Sequence, residues 1–416
     1  MCFIYNVLYN LQKKYIFVKK FFDRNMQRKS SNNYESYNNF FEAKLPCRKF
    51  LYDDIVPVLQ RHKTKFQVNL EGFSVLGREI KSYTIGSGKT MVLLWSQMHG
   101  NEPVSTLALL DVMNYLETVN ALPLLKSLTV CALPLLNPDG NEMFCRRNAM
   151  GIDLNRDAIR FAAPESQILR DLYNRIKPQV AFNMHDQEQY YTTLPERKQT
   201  MVSFLAPKYN VDGDINENRR TAMQLIAVAQ DFIKPIAEGC IAKYSDSFMP
   251  NAFGDNMQLW GASTILVECG SALDDPERLQ PRRAAALAII RMLKSIASKD
   301  YESVDLDNYN SIPNNIRDNT FDLKITNIEI RLPNQRTFRA DIGIRRYKGV
   351  DFEDFADFST EYHVEGFGDL SQYGGIKVFD GSQSSVTLNK GVKIGDIPDY
   401  TILLSNGTQV PINQLY

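Results

Sequence analysis

The sequence lacks the marks of several common protein classes. Its 416 residues carry 48 Lys and Arg against 48 Asp and Glu, a formal net charge of zero. With no net charge and no basic or aromatic stripe, nothing steers the whole molecule toward nucleic acid or an acidic membrane. The six cysteines (Cys2, Cys47, Cys131, Cys145, Cys240 and Cys269) form no C-x-x-C pair. That excludes both a disulfide framework and a thiolate zinc site. Cys131 and Cys269 lie in apolar runs, as buried free thiols of a reducing compartment do. No uninterrupted apolar run reaches the length of a membrane span. At the N-terminus, Lys13, Lys14, Lys19 and Lys20 follow and interrupt the apolar residues rather than preceding them, and no A-x-A-like site follows. No signal peptide and a cytoplasmic location are therefore expected. A start at Met26 is the alternative, which would leave residues 1–25 outside the working protein.

What is present is ordinary globular material, 44% hydrophobic and 23% charged. Residues 1–70 read as an extension, Asn- and Ser-rich over 27–46, with a lead-in helix within 48–70. From 71 to 300, short apolar runs (91–95, 128–136, 179–184 and 263–267) alternate with helical patterns (103–119, 164–176, 219–237 and 276–298). This predicts an α/β domain with a mixed, mostly parallel sheet flanked by helices. Its site is expected at the C-terminal edge of that sheet. Residues 315–416 predict a small all-β domain. There Phe321, Leu323 and Ile325 alternate, then Ile328, Ile330 and Leu332 in the opposite phase, a bulge or turn signal. The stretch 85–90 (IGSGKT) lacks the full phosphate-loop spacing and reads as a hairpin turn into the strand at Met91.

Four local patterns carry chemistry. His99-Gly100-Asn101-Glu102 follows an apolar strand and opens a helix at Pro103. Imidazole nitrogen and carboxylate oxygen are ligand types that Zn2+ accepts. Taken alone, such a pair is more often a chance surface feature. His185 ends another apolar run and is one of only four histidines. A structural histidine is the plain alternative, but with His99 and Glu102 it completes a two-histidine, one-carboxylate set with a fourth position open for water. Glu268 ends the run STILVE. A carboxylate there needs a partner or a task. It is either a salt-bridged or capping residue, or a general base. Finally, Asn137-Pro138-Asp139-Gly140 leads into the segment from Arg146 to Arg156, RRNAMGIDLNR. Its guanidiniums and amide could clamp a carboxylate, although composition alone favours a solvated basic loop.

Together these patterns resemble the M14 family of zinc carboxypeptidases over residues 71–298, most specifically in the arginine-rich segment. The resemblance implies one Zn2+ per chain, held by His99, Glu102 and His185, with Glu268 as general base and later proton donor. It implies Asn155 and Arg156 as the clamp on a terminal carboxylate, and Arg146, or else Arg147, as the group that polarises the scissile carbonyl. Asp255 falls where the family places a pocket-shaping residue. The implied activity is hydrolysis of a peptide bond next to a free C-terminal carboxylate. Departures are also present: Tyr244 sits in a poor match to the family's mobile tyrosine segment, and Asp186 and Gln187 follow the third ligand. The short interval from Glu102 to His185 is closer to murein-peptide amidases and N-acyl-amino-acid deacylases of the same clan. A small acyl-amino-acid substrate is therefore the alternative to a peptide. A catalytically inactive binding module is the alternative of another class.

Overall fold

The structure, a computed structural model, describes residues 36–45, 49–195, 197–346, 361–388 and 393–415. The lysine-interrupted N-terminal segment lies outside them. Among the described residues, no helix is long and apolar enough to cross a membrane.

Residues 67–269 build an eight-stranded sheet. Its strands are β1 (Gln67–Phe73), β2 (Glu79–Gly86), β3 (Thr90–Ser96), β4 (Leu128–Leu133), β5 (Val180–Asp186), β6 (Val202–Leu205), β7 (Ile241–Lys243) and β8 (Ser263–Cys269). They lie in the order β1-β2-β4-β3-β5-β8-β6-β7. The central strands β4, β3, β5 and β8 are parallel, and antiparallel pairings join β2 and β6 to them. The sheet is therefore mixed with a parallel centre, as the sequence predicts.

Alternation along the central strands feeds two cores. On one face, Val92, Leu94, Phe182, Met184 and Val267 pack against the helices Pro103–Leu116, Glu217–Ile233 and Leu279–Ser298. On the other, Leu93, Trp95, Cys131 and Ala181 meet the helix Pro164–Ile176 and the short helix Phe253–Leu259. Proline opens both Pro103–Leu116 and Pro164–Ile176, where its missing N–H costs nothing. The lead-in helix is Tyr52–Arg61. The preceding segment is tied down by a buried ion pair: Arg282 bonds both oxygens of Asp111 at 2.7 Å and the carbonyls of Glu42 and Leu45, and Tyr37 donates to Asp111.

One sequence reading needs correction. The 85–90 stretch is not a hairpin, because β2 and β3 do not pair with each other and β4 lies between them. The loop crosses the start of β4 at very close range. Gly86 adopts φ +99°, and a Cβ there would meet the Leu128 carbonyl oxygen at 2.3 Å. The glycines serve a backbone crossing, not a tight turn.

The C-terminal region is a separate all-β unit. Strands β9 (Thr320–Arg331) and β10 (Thr337–Arg346) form its spine, joined by β11 (Tyr362–Gly368), β12 (Gly374–Asp380), β13 (Ser385–Thr387), β14 (Thr401–Leu403) and β15 (Gln409–Pro411). The predicted phase change is a bulge. Ile325 pairs with Ile342 but Ile328 pairs with Ala340, so β9 carries one extra residue there, with Asn327 at φ 49°. The bulge lets Leu323, Ile325, Ile328 and Ile330 all enter one aliphatic core.

Candidate metal centre and active site

Each predicted ligand is placed by the end of a central strand. Beyond β3 the chain turns at Gln97, held in the left-handed region at φ 51°. Such a conformation costs a non-glycine residue about 1–3 kcal/mol and persists only where the surroundings fix it. Here the Gln97 amide donates to the Gly100 carbonyl and accepts from Thr106, both at 3.0 Å. The turn delivers His99 and then Glu102, the residue that caps the helix Pro103–Leu116. Gly100 lies against the second motif: a Cβ would come within 1.9 Å of the Gly140 carbonyl carbon. The H-G-N-E and N-P-D-G loops are thus pressed backbone to backbone, which requires glycine at that contact. At the end of β5, Asp186 accepts from the N–H groups of Val104 and Ser105 at 2.8 and 2.7 Å. This locks the helix start that carries Glu102 beside His185.

The result is a compact donor set. Glu102 receives the Nδ1 of His99 at 2.8 Å and the Nδ1 of His185 at 2.7 Å, one on each carboxylate oxygen. One ligand atom from each of the three buried residues lies within 4.8 Å of the others. The outer nitrogens are also engaged. Asp153 approaches Nε2 of His99 at 3.1 Å, and the Asn155 amide nitrogen lies 3.5 Å from Nε2 of His185. A carboxylate behind a histidine fixes its tautomer and raises its basicity, the usual support for a metal-bound imidazole. Two nitrogens and one carboxylate with such backing fit Zn2+.

Glu268 lies directly beside this set. In the parallel ladder of β5 and β8 it is the register partner of His185. It is buried, and its Oε2 has no hydrogen-bond partner among the described residues. Burial, followed by the charges of Glu102 and Asp186, pushes its carboxyl well above the ordinary range. Glu102 moves the other way. Burial opposes ionisation, but the two histidines outweigh it and hold the carboxyl well below the usual value. Two carboxyls side by side with opposed proton affinities are a division between ligand and proton carrier.

All of this lines one cavity of about 470 Å³, which also takes in Arg146, Asn155, Arg156, Asp255, Tyr191 and Tyr244. Arg146 bonds Asp153 through Nε and Nη2 at 3.2 and 3.1 Å and reaches Glu102 at 3.4 Å. Asn155 accepts from the Phe253 N–H at 3.0 Å, joining the clamp loop to the helix that carries Asp255. The Arg156 guanidinium is exposed and rests on the Asn155 carbonyl at 2.7 Å. Arg147 is not brought to the cavity; it is exposed and donates to the Gly151 carbonyl at 3.3 Å.

Residues 52–196 match the Peptidase_M14 family, zinc carboxypeptidase. Over that third of its length the chain is similar to the M14 zinc carboxypeptidases. Over 102 residues it is 34% identical to carboxypeptidase 2 of Trichophyton tonsurans, covering 24% of this chain and 19% of that protein. It is 32% identical over 102 residues to carboxypeptidase 2 of Trichophyton rubrum, with the same coverage. The aligned stretch thus spans about a fifth of these relatives. Among solved structures, carboxypeptidase A of Helicoverpa armigera aligns at a TM-score of 0.49 and 17% identity, covering 64% of this chain and 80% of that one. The family match to the M14 domain takes in His99, Glu102, His185 and the 146–156 segment, while Glu268 and Asp255 lie beyond it.

Several features of this site carried no signal that a reading of separate motifs would single out. Asp153 sits inside the arginine-rich segment, yet its task as the partner of His99 and Arg146 emerges only in space. Tyr191 and Tyr244 are 53 residues apart and meet hydroxyl to hydroxyl at 3.1 Å. Arg278 and Arg317 reach the cavity wall from beyond β8.

Proposed function

We propose that the protein is a zinc-dependent carboxypeptidase that hydrolyses an amide bond next to a free C-terminal carboxylate. One observation carries this reading: the His99–Glu102–His185 donor set, the unpartnered Glu268 oxygen and the Asn155–Arg156 pair share a single cavity. A bound Zn2+ would supply Lewis-acid polarisation of the scissile carbonyl and acidify water at that point. The chain's own groups do the rest. Arg156 and the Asn155 amide hold the terminal carboxylate, so an end of the substrate is chosen over an internal bond. Oε2 of Glu268 takes a proton from the attacking water and passes it to the leaving nitrogen. Arg146 faces the ligand set and is positioned to compensate charge that develops on the carbonyl oxygen only in the transition state. Asp153 keeps His99 oriented. An N-acyl amino acid would meet the same clamp and the same base, so it belongs in the test. An inactive binding module would have no use for a buried Glu268 with one oxygen that no described residue partners.

The test is zinc content of the purified protein, measured beside hydrolysis of matched peptides, murein peptides and N-acyl amino acids with free or amidated C-termini. One zinc per chain with turnover of free-carboxylate substrates alone is expected. Equal turnover of amidated substrates would remove the clamp assignment. Absence of zinc binding on addition of the metal would remove the reading altogether.

A further inference from the structure

The sequence leaves three roles open for the C-terminal β-region: a substrate-positioning wall, a dimer contact or an inert stabiliser. Its contacts with the segment that follows His185 favour the first. Gln187, Glu188 and Tyr191 line the cavity, and residues around them are held from beyond position 312. Asn315 donates to Oε1 of Gln187 at 2.6 Å and accepts from Thr200 at 2.9 Å. Thr192 and Ile316 exchange backbone hydrogen bonds, both 2.9 Å. Arg317 pairs with Glu188 at 3.2 Å. Asp322, near the start of β9, accepts from the Gln189 amide at 2.8 Å with one oxygen, and from the Tyr190 hydroxyl at 2.7 Å with the other. The second oxygen also accepts the Arg346 N–H at 2.8 Å, and the Arg346 side chain reaches back to Gln189. The guanidinium of Arg345 lies 5.2 Å from the centre of the Tyr190 ring.

Tyr191 follows this anchored stretch directly. Its ring lies 5.7 Å from that of Tyr244, the two hydroxyls are bonded, and both phenols feel the charge of Glu268. A segment held at 187–190 and 192 leaves Tyr191 little freedom.

We propose that Asp322 is a positioning residue: through Gln189 and Tyr190 it fixes the wall formed by residues 187–192, so that Tyr191 and Tyr244 face the reacting centre. The β-region is then part of the active-site architecture. The consequence for turnover rests on the carboxypeptidase reading above; the consequence for the wall does not.

The experiment is therefore run on two readouts in the full chain. Asp322→Ala should speed amide hydrogen exchange over residues 187–192. It should lower kcat/KM by about 10- to 100-fold, the scale expected of an ångström-sized misplacement, with zinc content unchanged. Tyr190→Phe deletes one of the same bonds from the other side and should shift both readouts in the same direction, so a poorly folded Asp322→Ala leaves the question answerable. Asp322→Asn keeps one acceptor oxygen and turns the other into a donor, so it should fall between wild type and Asp322→Ala on both readouts. Asp341→Ala breaks bonds to the Asn327 and Leu370 N–H groups within the β-region, and should leave both readouts at wild-type values. If Tyr191→Phe is combined with Asp322→Ala, the double variant should be little worse than the poorer single one. Unchanged exchange over 187–192 in both Asp322→Ala and Tyr190→Phe would overturn the proposal, as would equal losses in Asp341→Ala. If the wild-type chain hydrolyses nothing, the carboxypeptidase reading fails, and the exchange experiment still decides whether Asp322 holds the wall.

Discussion

At the ends of β3, β5 and β8 the buried positions carry His99, Glu102, His185 and Glu268, whereas the inward positions of β9 and β10 carry Leu323, Ile325, Ile328, Ile330, Ile342 and Ile344. The eight-stranded sheet is packed on both faces and the β-region's sheet around one aliphatic core. In the β-region every inward side chain gains from leaving water. At the strand ends the same burial opposes ionisation of each titratable group, and only mutual pairing offsets it. The pairing is also incomplete, since one oxygen of Glu268 has no partner among the described residues. A polypeptide that needed only stability could have continued the aliphatic pattern of β5 and β8 by one more residue. The contrast locates function physically, at the place where the fold tolerates groups that a packed core excludes.

The largest effect should separate the two regions outright. Glu268→Gln keeps the shape and the donor set but removes the proton acceptor. Turnover should fall by about a hundred- to ten-thousand-fold, with zinc content intact and the melting temperature unchanged or raised, because an unpaired buried carboxyl has gone. Ile330→Ala, whose side chain is fully buried in the β-region, should do the reverse. It should cost about 2–5 kcal/mol of stability while the folded fraction keeps its rate. Thermal unfolding and kcat, measured on both variants, check this. A Glu268→Gln enzyme within about tenfold of wild type would mean that the base is another group.

How much of this was legible in the sequence follows from how local each feature is. The ligand motifs are contiguous, and each sits where an apolar run stops, so the strand ends and the residues they carry could be read together. The β9 bulge was legible because one strand holds both phases of the alternation. The 85–90 loop was misread because its local composition is that of a turn, while the insertion of β4 between β2 and β3 is decided by pairing with a distant stretch of chain, as in the Ile85–Val130 register. Tyr191 and Asp322 were invisible for the same reason, as was the contact that brings Tyr191 to Tyr244: each gains its place from a partner distant in the chain. Arg147 was a near miss of the same kind, since two adjacent arginines look alike in sequence and only the backbone of the loop chooses which one turns inward.

A smaller effect should come from the clamp. Arg156→Ala removes a charge-assisted contact worth about 1.5–3 kcal/mol, roughly 10- to 100-fold in KM for free-carboxylate substrates. Amidated analogues, which never engage the contact, should be handled alike by wild type and variant. The ratio of the two KM changes is the measurement. Equal losses on both substrates would assign Arg156 to the scaffold and weaken the contrast drawn above, because the strand-end region would then hold less recognition chemistry than its charges imply.

The smallest effect concerns pH and one further buried carboxyl. Asp255 lines the cavity, and burial, against the opposing Met249 N–H bond and the charge of Arg156, pushes its carboxyl up to about 6. The group is therefore neutral below that pH and carries its charge above it. A substrate ending in Lys gains an attraction only in the ionised state, so its advantage over one ending in Leu should grow as pH rises from 5 to 7. The expected gain is roughly two- to fivefold, the scale of a partly solvated ion pair. Taking the ratio of kcat/KM for the two substrates cancels the titration of Glu268 and of the metal ligands, which act equally on both. Asp255→Asn should flatten the ratio across that range without a large change in the rate on the Leu-ending peptide. If the slope survives in Asp255→Asn, the titrating group is elsewhere in the cavity, and Asp255 shapes the pocket by its hydrogen bond to Met249 alone.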